Sequence, residues 1–322
     1  MNVMRIPVGV LLVGAAAALA ACSGSATPGI DAAAAASAPV AKPVVIRPAA
    51  TAGTKTFAPP PASSIPDTPF GAMVRKGRAI FVDTQANAKP YVGNGLSCVN
   101  CHLDAGRLAN SAPLWGAWVR YPAYRSKNHK VNTFANRLQG CFRFSMNGTA
   151  PPVDSEVIVA LEAYAYWLAK GAPTGATLPG AGYPKLSPPA MAPSYARGKA
   201  VFETNCALCH AGNGQGQKDA QGDYVFPPLW GPDSFNWGAG MAKVNTAAEF
   251  IHANMPFSRG GTLTAQAAWD VAWYMDSHER PQDPRFTGDV AATRKEFHAT
   301  KWSRYGATVD GKQLGSLPLH RR

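Results

Sequence analysis

The stretch "CVNCH" at 98–102 decides the fold, because the same pattern returns as "CALCH" at 206–210. Two thiols three positions apart with a histidine directly behind them are the attachment pattern of a c-type haem. The spacing lets both thiols form thioethers with the vinyl groups on one porphyrin edge, while the adjacent histidine turns its ring toward the iron. Other uses of the pairs explain less. A four-cysteine zinc site employs C-x-x-C pairs but needs no histidine after each. Disulfides suit an exported chain, yet they too leave both histidines unexplained. A thioredoxin-like pair calls for a βαβ pattern, and strand signals are scarce here.

Outward from these motifs the chain repeats itself. "KGRAIF" (76–81) matches "RGKAVF" (197–202), and "APLWG" (112–116) matches "PPLWG" (227–231). A methionine-bearing loop follows in each copy, "SMNG" (145–148) and then "NMPF" (254–257). A helix pattern closes each copy. In the first, Asp154 is the expected N-cap, Val157, Leu161, Tyr164 and Leu168 form the apolar face, and Gly171 ends it. In the second, Thr264 caps, Ala268, Val271, Ala272 and Met275 form the face, and Pro281 lies beyond the end. The order of helix, haem motif, ligand loop and closing helix is that of a small cytochrome c domain.

The expected fold is therefore mainly α, with two tandem cytochrome c-like domains at 67–175 and 194–285. Each is expected to hold one covalently bound haem c, which fills much of a core that so short a domain cannot build alone. A Pro/Gly-rich connector spans 173–193, with 176–193 assigned as linker, and 286–322 form a C-terminal extension. Trp115, Trp118, Trp230 and Trp237 are expected as core and haem-pocket aromatics.

The first residues speak to compartment. "MNVMRIPVGVLLVGAAAALAAC" has one arginine, an apolar run too short for a usual transmembrane helix, and small residues at its end. It reads as a signal peptide over 1–21. Leu19-Ala20-Ala21-Cys22 resembles a lipobox, which implies acylation of Cys22, and Ser23 after it favours the outer membrane by the same resemblance. Residues 22–66 are rich in Ala, Pro, Ser and Thr and have no period, so they are expected as a disordered tether. The chain is thus expected in the periplasm, on the membrane by its lipid alone.

Of 322 residues, 31 are Lys or Arg and 19 Asp or Glu, a formal charge of +12. Such a balance favours anionic partners. Nucleic acid is not among them, since the chain is exported and carries no nucleic-acid motif. "GNGQGQKD" (212–219) lacks the Gly-Lys-Ser/Thr of a phosphate loop and is expected as a haem-side loop. Asn147-Gly148 is expected as a tight turn.

Each iron needs a ligand opposite its histidine. In the second copy Met255 is favoured over Met241; a His/Met haem is the common electron-transfer arrangement. In the first copy two residues compete. Met146 sits at nearly the interval from His102 that Met255 keeps from His210. Cys141 is the cysteine left over once Cys22 takes lipid and four others take haem. Arg137 and Arg143 flank it, with Arg125, Lys127 and His129 upstream. Positive charge favours a thiolate and draws small dianions, and a thiolate is itself a haem ligand that lowers the iron potential. The same arginines would also serve as propionate partners or as a solvated face, with Cys141 a buried filler.

Six segments carry a specific resemblance: "GNGLSCVNCHLDAGR", "NSAPLWGAWVRYPAYRSKN", "RLQGCFRFSMNG", "FPPLWGPDSFNWGAGM", "FIHANMPF" and "AWDVAWYMDSHERPQDPR". From about Phe70 to Arg285 the chain resembles the dihaem thiosulfate dehydrogenases of bacterial periplasms. The resemblance implies that the first haem is held by Cys98, Cys101 and His102 with Cys141 as the opposite ligand and catalytic residue. It implies that the second is held by Cys206, Cys209 and His210 with Met255 opposite. Arg137 and Ser145 match substrate-site residues, and Lys127, with Arg125 in reserve, is the expected further cation. The implied reaction couples two thiosulfates to tetrathionate and passes two electrons to a small soluble cytochrome c or similar acceptor; the reverse is known in the class. A plain dihaem electron carrier and a sulfurtransferase-type cytochrome acting on a partner's cysteine remain as alternatives.

Overall fold

The computed structural model describes residues 56–317, so the expected signal peptide, Cys22 and most of the expected tether lie outside the described residues. Seven helices of seven or more residues carry the fold: α1 Pro69–Val82, α2 Phe134–Gly140, α3 Glu156–Leu168, α4 Tyr195–Asn205, α5 Val244–Asn254, α6 Ala265–Asp276 and α7 Val290–Phe297. Among the described residues, strands are confined to three short antiparallel ribbons. One of them, β1 Ala123–Arg125 with β2 Lys130–Asn132, borders the site described below.

The two copies share one helix crossing. In the first, α1 lies on α3, and in the second α4 lies on α6. Each crossing is closed by the glycine of the repeated K/R-G motif. A Cβ on Gly77 would stand 1.9 Å from the Ala160 carbonyl oxygen, and one on Gly198 would stand 2.0 Å from that of Asp270. Only glycine lets the backbones approach so closely. The motif's last residue, Phe81 or Phe202, then reaches a tyrosine of the partner helix, Tyr164 at 5.9 Å or Tyr274 at 5.5 Å between ring centroids. Trp115, Trp230 and Trp237 are buried, and Trp118, partly buried, packs edge-on against Phe134; one apolar cluster runs through both copies.

The closing helices form on their expected faces. Leu161, Tyr164 and Leu168 are buried on α3, and Ala268, Val271, Ala272 and Met275 on α6. Thr264 caps α6 by accepting from the Ala267 amide at 3.1 Å. The cap of α3 is Ser155, not Asp154: its hydroxyl faces the Ile158 amide at 3.4 Å, whereas Asp154 points to solvent.

Three boundaries differ from expectation, each because backbone polar groups find partners. The end of the expected tether is packed. Arg107 donates to the carbonyls of Pro60 at 2.7 Å and Pro59 at 3.1 Å, and the Phe57 ring lies 5.4 Å from that of Trp115. The expected linker is also fixed: the amides of Asn110 and Ala112 donate to Gly180 and Gly182, which lays this segment along the first domain. The C-terminal extension is integral to the second domain. Tyr305 is buried with its hydroxyl 3.0 Å from Gln282 Oε1, and Gln282 Nε2 donates to the Gly315 carbonyl at 2.6 Å.

Candidate active site

The helix α2 ends in a way the sequence did not announce. Cys141–Ser145 continue it as one π-helical turn, closed by the Met146 amide donating to the Cys141 carbonyl at 3.0 Å. The expected Met-bearing loop therefore begins only at Met146, and the predicted turn follows with Asn147 at φ 46°. The wider turn rotates the side chains relative to α-helical register, a device found often at functional sites. It places Cys141 and Ser145 in the wall of a cavity of about 730 Å³, together with Cys98, Cys101, His102 and Arg137.

Two buried asparagines hold that turn from outside. Asn94 Nδ2 donates to the Ser145 carbonyl at 2.8 Å and to Ser234 at 3.1 Å. Asn236, from the second domain, donates to the Arg143 carbonyl at 2.9 Å and to Asn147 Oδ1 at 3.0 Å. Sequence reasoning missed both. An asparagine beside glycine, or in a loop such as "DSFNWG", reads as turn chemistry, and nothing local says that its amide reaches another domain.

Electrostatics tie the pieces together. The Cys141 sulfur is the largest influence on Arg137, raising its pKa against the opposing effect of burial. Burial, and then the Cys141 sulfur, push the Cys98 and Cys101 thiols up to about 12, so three sulfurs share one space. His102 is driven down to about 4, chiefly by burial, and is a neutral imidazole at physiological pH. Its Nδ1 lies 2.6 Å from the Ala112 carbonyl, which requires Nδ1 to carry the proton and leaves Nε2 as the free lone pair. The second domain repeats this, with His210 Nδ1 2.9 Å from the Pro227 carbonyl. Ala112 and Pro227 are the first residues of the matched "APLWG" and "PPLWG", so the repeat carries the orientation of both histidines.

These residues suit a c-type haem. Both pairs are free thiols, and each has a histidine in ligand tautomer directly behind it. The first cavity is large enough for a porphyrin and is faced by apolar Phe81, Leu96, Leu114, Phe134, Leu138 and Leu161. Among the described residues no three His, Cys, Asp or Glu side chains converge as a metal-ion site.

The other expected residues sort by position. Arg125, on β1, lines this cavity; Lys127 does not. The Lys127 ammonium instead donates to the Gly238 carbonyl and lies 3.7 Å over the Phe144 ring, in a second cavity. Burial, and then Arg285, Arg137 and Lys243 nearby, push it down to about 7. Met146 is buried in the core and also borders the first cavity. Met241 borders that cavity as well, from the second domain. Met255 is half-buried directly after α5, whose last residue, Asn254, donates to the Asn110 carbonyl at 3.0 Å.

Two repeated helical domains, each with a C-x-x-C-H histidine poised as a ligand, define a two-domain c-type cytochrome that binds haem c. Comparison with known proteins agrees. Residues 85–174 match the SoxA/TsdA cytochrome c domain, and 193–275 match the cytochrome c oxidase, cbb3-type, subunit III model. The chain is 59% identical over 283 residues to a thiosulfate dehydrogenase of Thiomonas intermedia, covering 88% of this chain and 90% of that protein. It is 58% identical over 266 residues to one of Stutzerimonas stutzeri, covering 82% and 86%. A solved thiosulfate dehydrogenase (TsdBA) from Marichromatium purpuratum superposes with a TM-score of 0.78 at 50% identity; the match covers 82% of this chain and 58% of that one. The chain belongs to the thiosulfate dehydrogenase family of oxidoreductases.

Proposed function

We propose that this protein couples two thiosulfates to tetrathionate at Cys141 and delivers the two electrons to a small soluble cytochrome c or similar acceptor. One observation carries the reading: Cys141 and Arg137 face the same cavity as Cys98, Cys101 and His102. Haems bound covalently at Cys98/Cys101 and Cys206/Cys209 would take up one electron each, the number the coupling releases. In this proposal His102 with Cys141, and His210 with Met255, would hold the two haem irons. In support of Met255, its competitor Met241 borders the first domain's cavity.

The chain's own groups have three tasks. Cys141 forms a sulfur–sulfur bond with the outer sulfur of one thiosulfate, and that step gives up two electrons. The outer sulfur of a second thiosulfate then attacks the sulfur bound to Cys141. Tetrathionate leaves and the Cys141 thiolate returns, so charge and atoms balance. Both steps bring anions together. A dianion 4 Å from a single negative charge, the pairing in each step, is repelled by about 2 kcal/mol even at the dielectric of water, and Arg137 and Arg125 offset that charge. The Ser145 hydroxyl, in the wall of the same cavity, donates to a sulfonate oxygen in this reading.

The leader and Leu19-Ala20-Ala21-Cys22 support a periplasmic enzyme, acylated on Cys22 and tethered to the outer membrane. Replacing Cys22 by alanine should release it from the membrane fraction. The central test mixes holoprotein with thiosulfate and an artificial electron acceptor. One tetrathionate should form per two electrons, and Cys141→Ser should abolish turnover while both haems stay attached. Full activity of that variant refutes the mechanism.

A further inference from the structure

Beside the site lies a second cavity of about 940 Å³, built from four stretches of the chain. The β1–β2 hairpin supplies Arg125 and Lys127, the helix running into the π-turn supplies Arg137 and Arg143, and the second domain supplies Lys243. The C-terminal segment closes it with Arg285, Phe297 and His298. Glu296 is the single carboxylate among the lining residues.

Its cations are short of partners. Arg285 is paired, donating to Asp283 at 2.6 Å. Among the described residues Arg125, Lys127, Arg143 and Lys243 enter no ion pair. Lys127 is nonetheless fixed in place, its ammonium held on the Gly238 carbonyl and over Phe144. Gly238 has no room for a side chain, since a Cβ there would stand 2.4 Å from Phe144 Cδ1. A surface that merely scatters positive charge has no need of an anchored ammonium, an enclosing hairpin and a C-terminal wall. Such a box of unpaired donors is complete with a small polyoxygenated anion. Arg125 and Arg137 line both cavities, so an anion held here borders Cys141's own cavity.

We propose that this second cavity is a binding site for a sulfonate-bearing dianion, the second thiosulfate, held there before it attacks the sulfur bound to Cys141. The proposal rests on the coupling reaction above. The first thiosulfate and the second then have separate places, with the shared guanidiniums of Arg125 and Arg137 between them.

The test is calorimetric titration of sodium thiosulfate into Cys141→Ser holoprotein. Two thiosulfates should bind per chain, and one once Arg143→Gln and Lys243→Gln are added. Both side chains are exposed, so the fold should tolerate the change, and a charge-keeping Arg143→Lys, Lys243→Arg pair should still bind two. In the otherwise native holoprotein the double Gln variant should raise KM for thiosulfate about tenfold with kcat within twofold. One thiosulfate bound before the charges are removed, or two still bound afterwards, overturns the site. Turnover persisting in Cys141→Ser instead refutes the coupling mechanism, while the count of bound thiosulfate still reports on the cavity.

Discussion

Gly77→Ala tests the crossing that gives both domains their shape. The added Cβ would stand 1.9 Å from the Ala160 carbonyl oxygen and 2.8 Å from Tyr164 Cβ, where ordinary contact begins at 3.4 Å. The obstruction is backbone, so no side-chain rotation relieves it, and α1 must move about 1.5 Å away from α3 to restore normal contact. Overpacking of this kind costs about 1–3 kcal/mol and occasionally more. Alanine returns about 1 kcal/mol of helix propensity over glycine, which leaves a net loss of about 2 kcal/mol when the cost falls at the upper end. For a chain of this size that corresponds to a fall in Tm of roughly 3 °C. Phe81, on α1, lies 6.0 Å from the His102 ring, so the shift should also appear in the absorption of the first haem. Gly198→Ala should cost the same in the second domain. Gly212→Ala, which meets nothing within 4 Å, is the control and should leave Tm unchanged. Thermal unfolding followed by circular dichroism decides. A Gly77→Ala protein as stable as the wild type refutes the argument from close approach.

Asn236→Ala removes the donor to Arg143 and Asn147 and should destabilise by about 1–3 kcal/mol, with a fall in kcat because the Cys141 turn is no longer held; urea titration and thiosulfate turnover measure the two. Tyr164→Phe leaves the buried Ala105 carbonyl without the hydroxyl now 2.7 Å away, and should cost about 1–2 kcal/mol in the same titration. Lys127 titrates at about 7 when folded and in the ordinary lysine range when unfolded. Between these values the unfolded chain binds the extra proton, so this group makes stability rise with pH from about 7 upward. Lys127→Met should flatten that rise in unfolding measured from pH 7 to 10, and an unchanged slope would reject the assignment.

Much of this architecture was legible because covalent chemistry and repetition leave local marks. C-x-x-C-H names its use within five residues, and "KGRAIF" and "APLWG" recur because the same crossing and the same histidine orientation recur. Thr264 and the buried face of α6 followed from periodicity alone. What sequence did not show is cooperation over distance. The linker was read from its proline and glycine only as a connector, and nothing local says that Gly180 and Gly182 carry backbone bonds to the first domain. Lys127 was expected as a further cation of the thiosulfate site from the resemblance; it lies in the hairpin turn beyond β1 and lines the second cavity, while Arg125, the last residue of β1, lines both. The π-turn at Cys141 has no sequence signature, since the same residues read equally well as helix or loop.

The first cavity is walled in part by Met241, Thr246 and Glu249, which belong to the second copy of the repeat. The duplication has thus stopped being modular. One copy has become masonry for the other's chamber, and Asn94 and Asn236 stitch the seam. Grafting the first domain onto a foreign cytochrome would leave its reaction chamber open on one side. Descent should therefore carry the two halves as a pair, with change at the seam constrained on both sides together, while the outer faces drift independently.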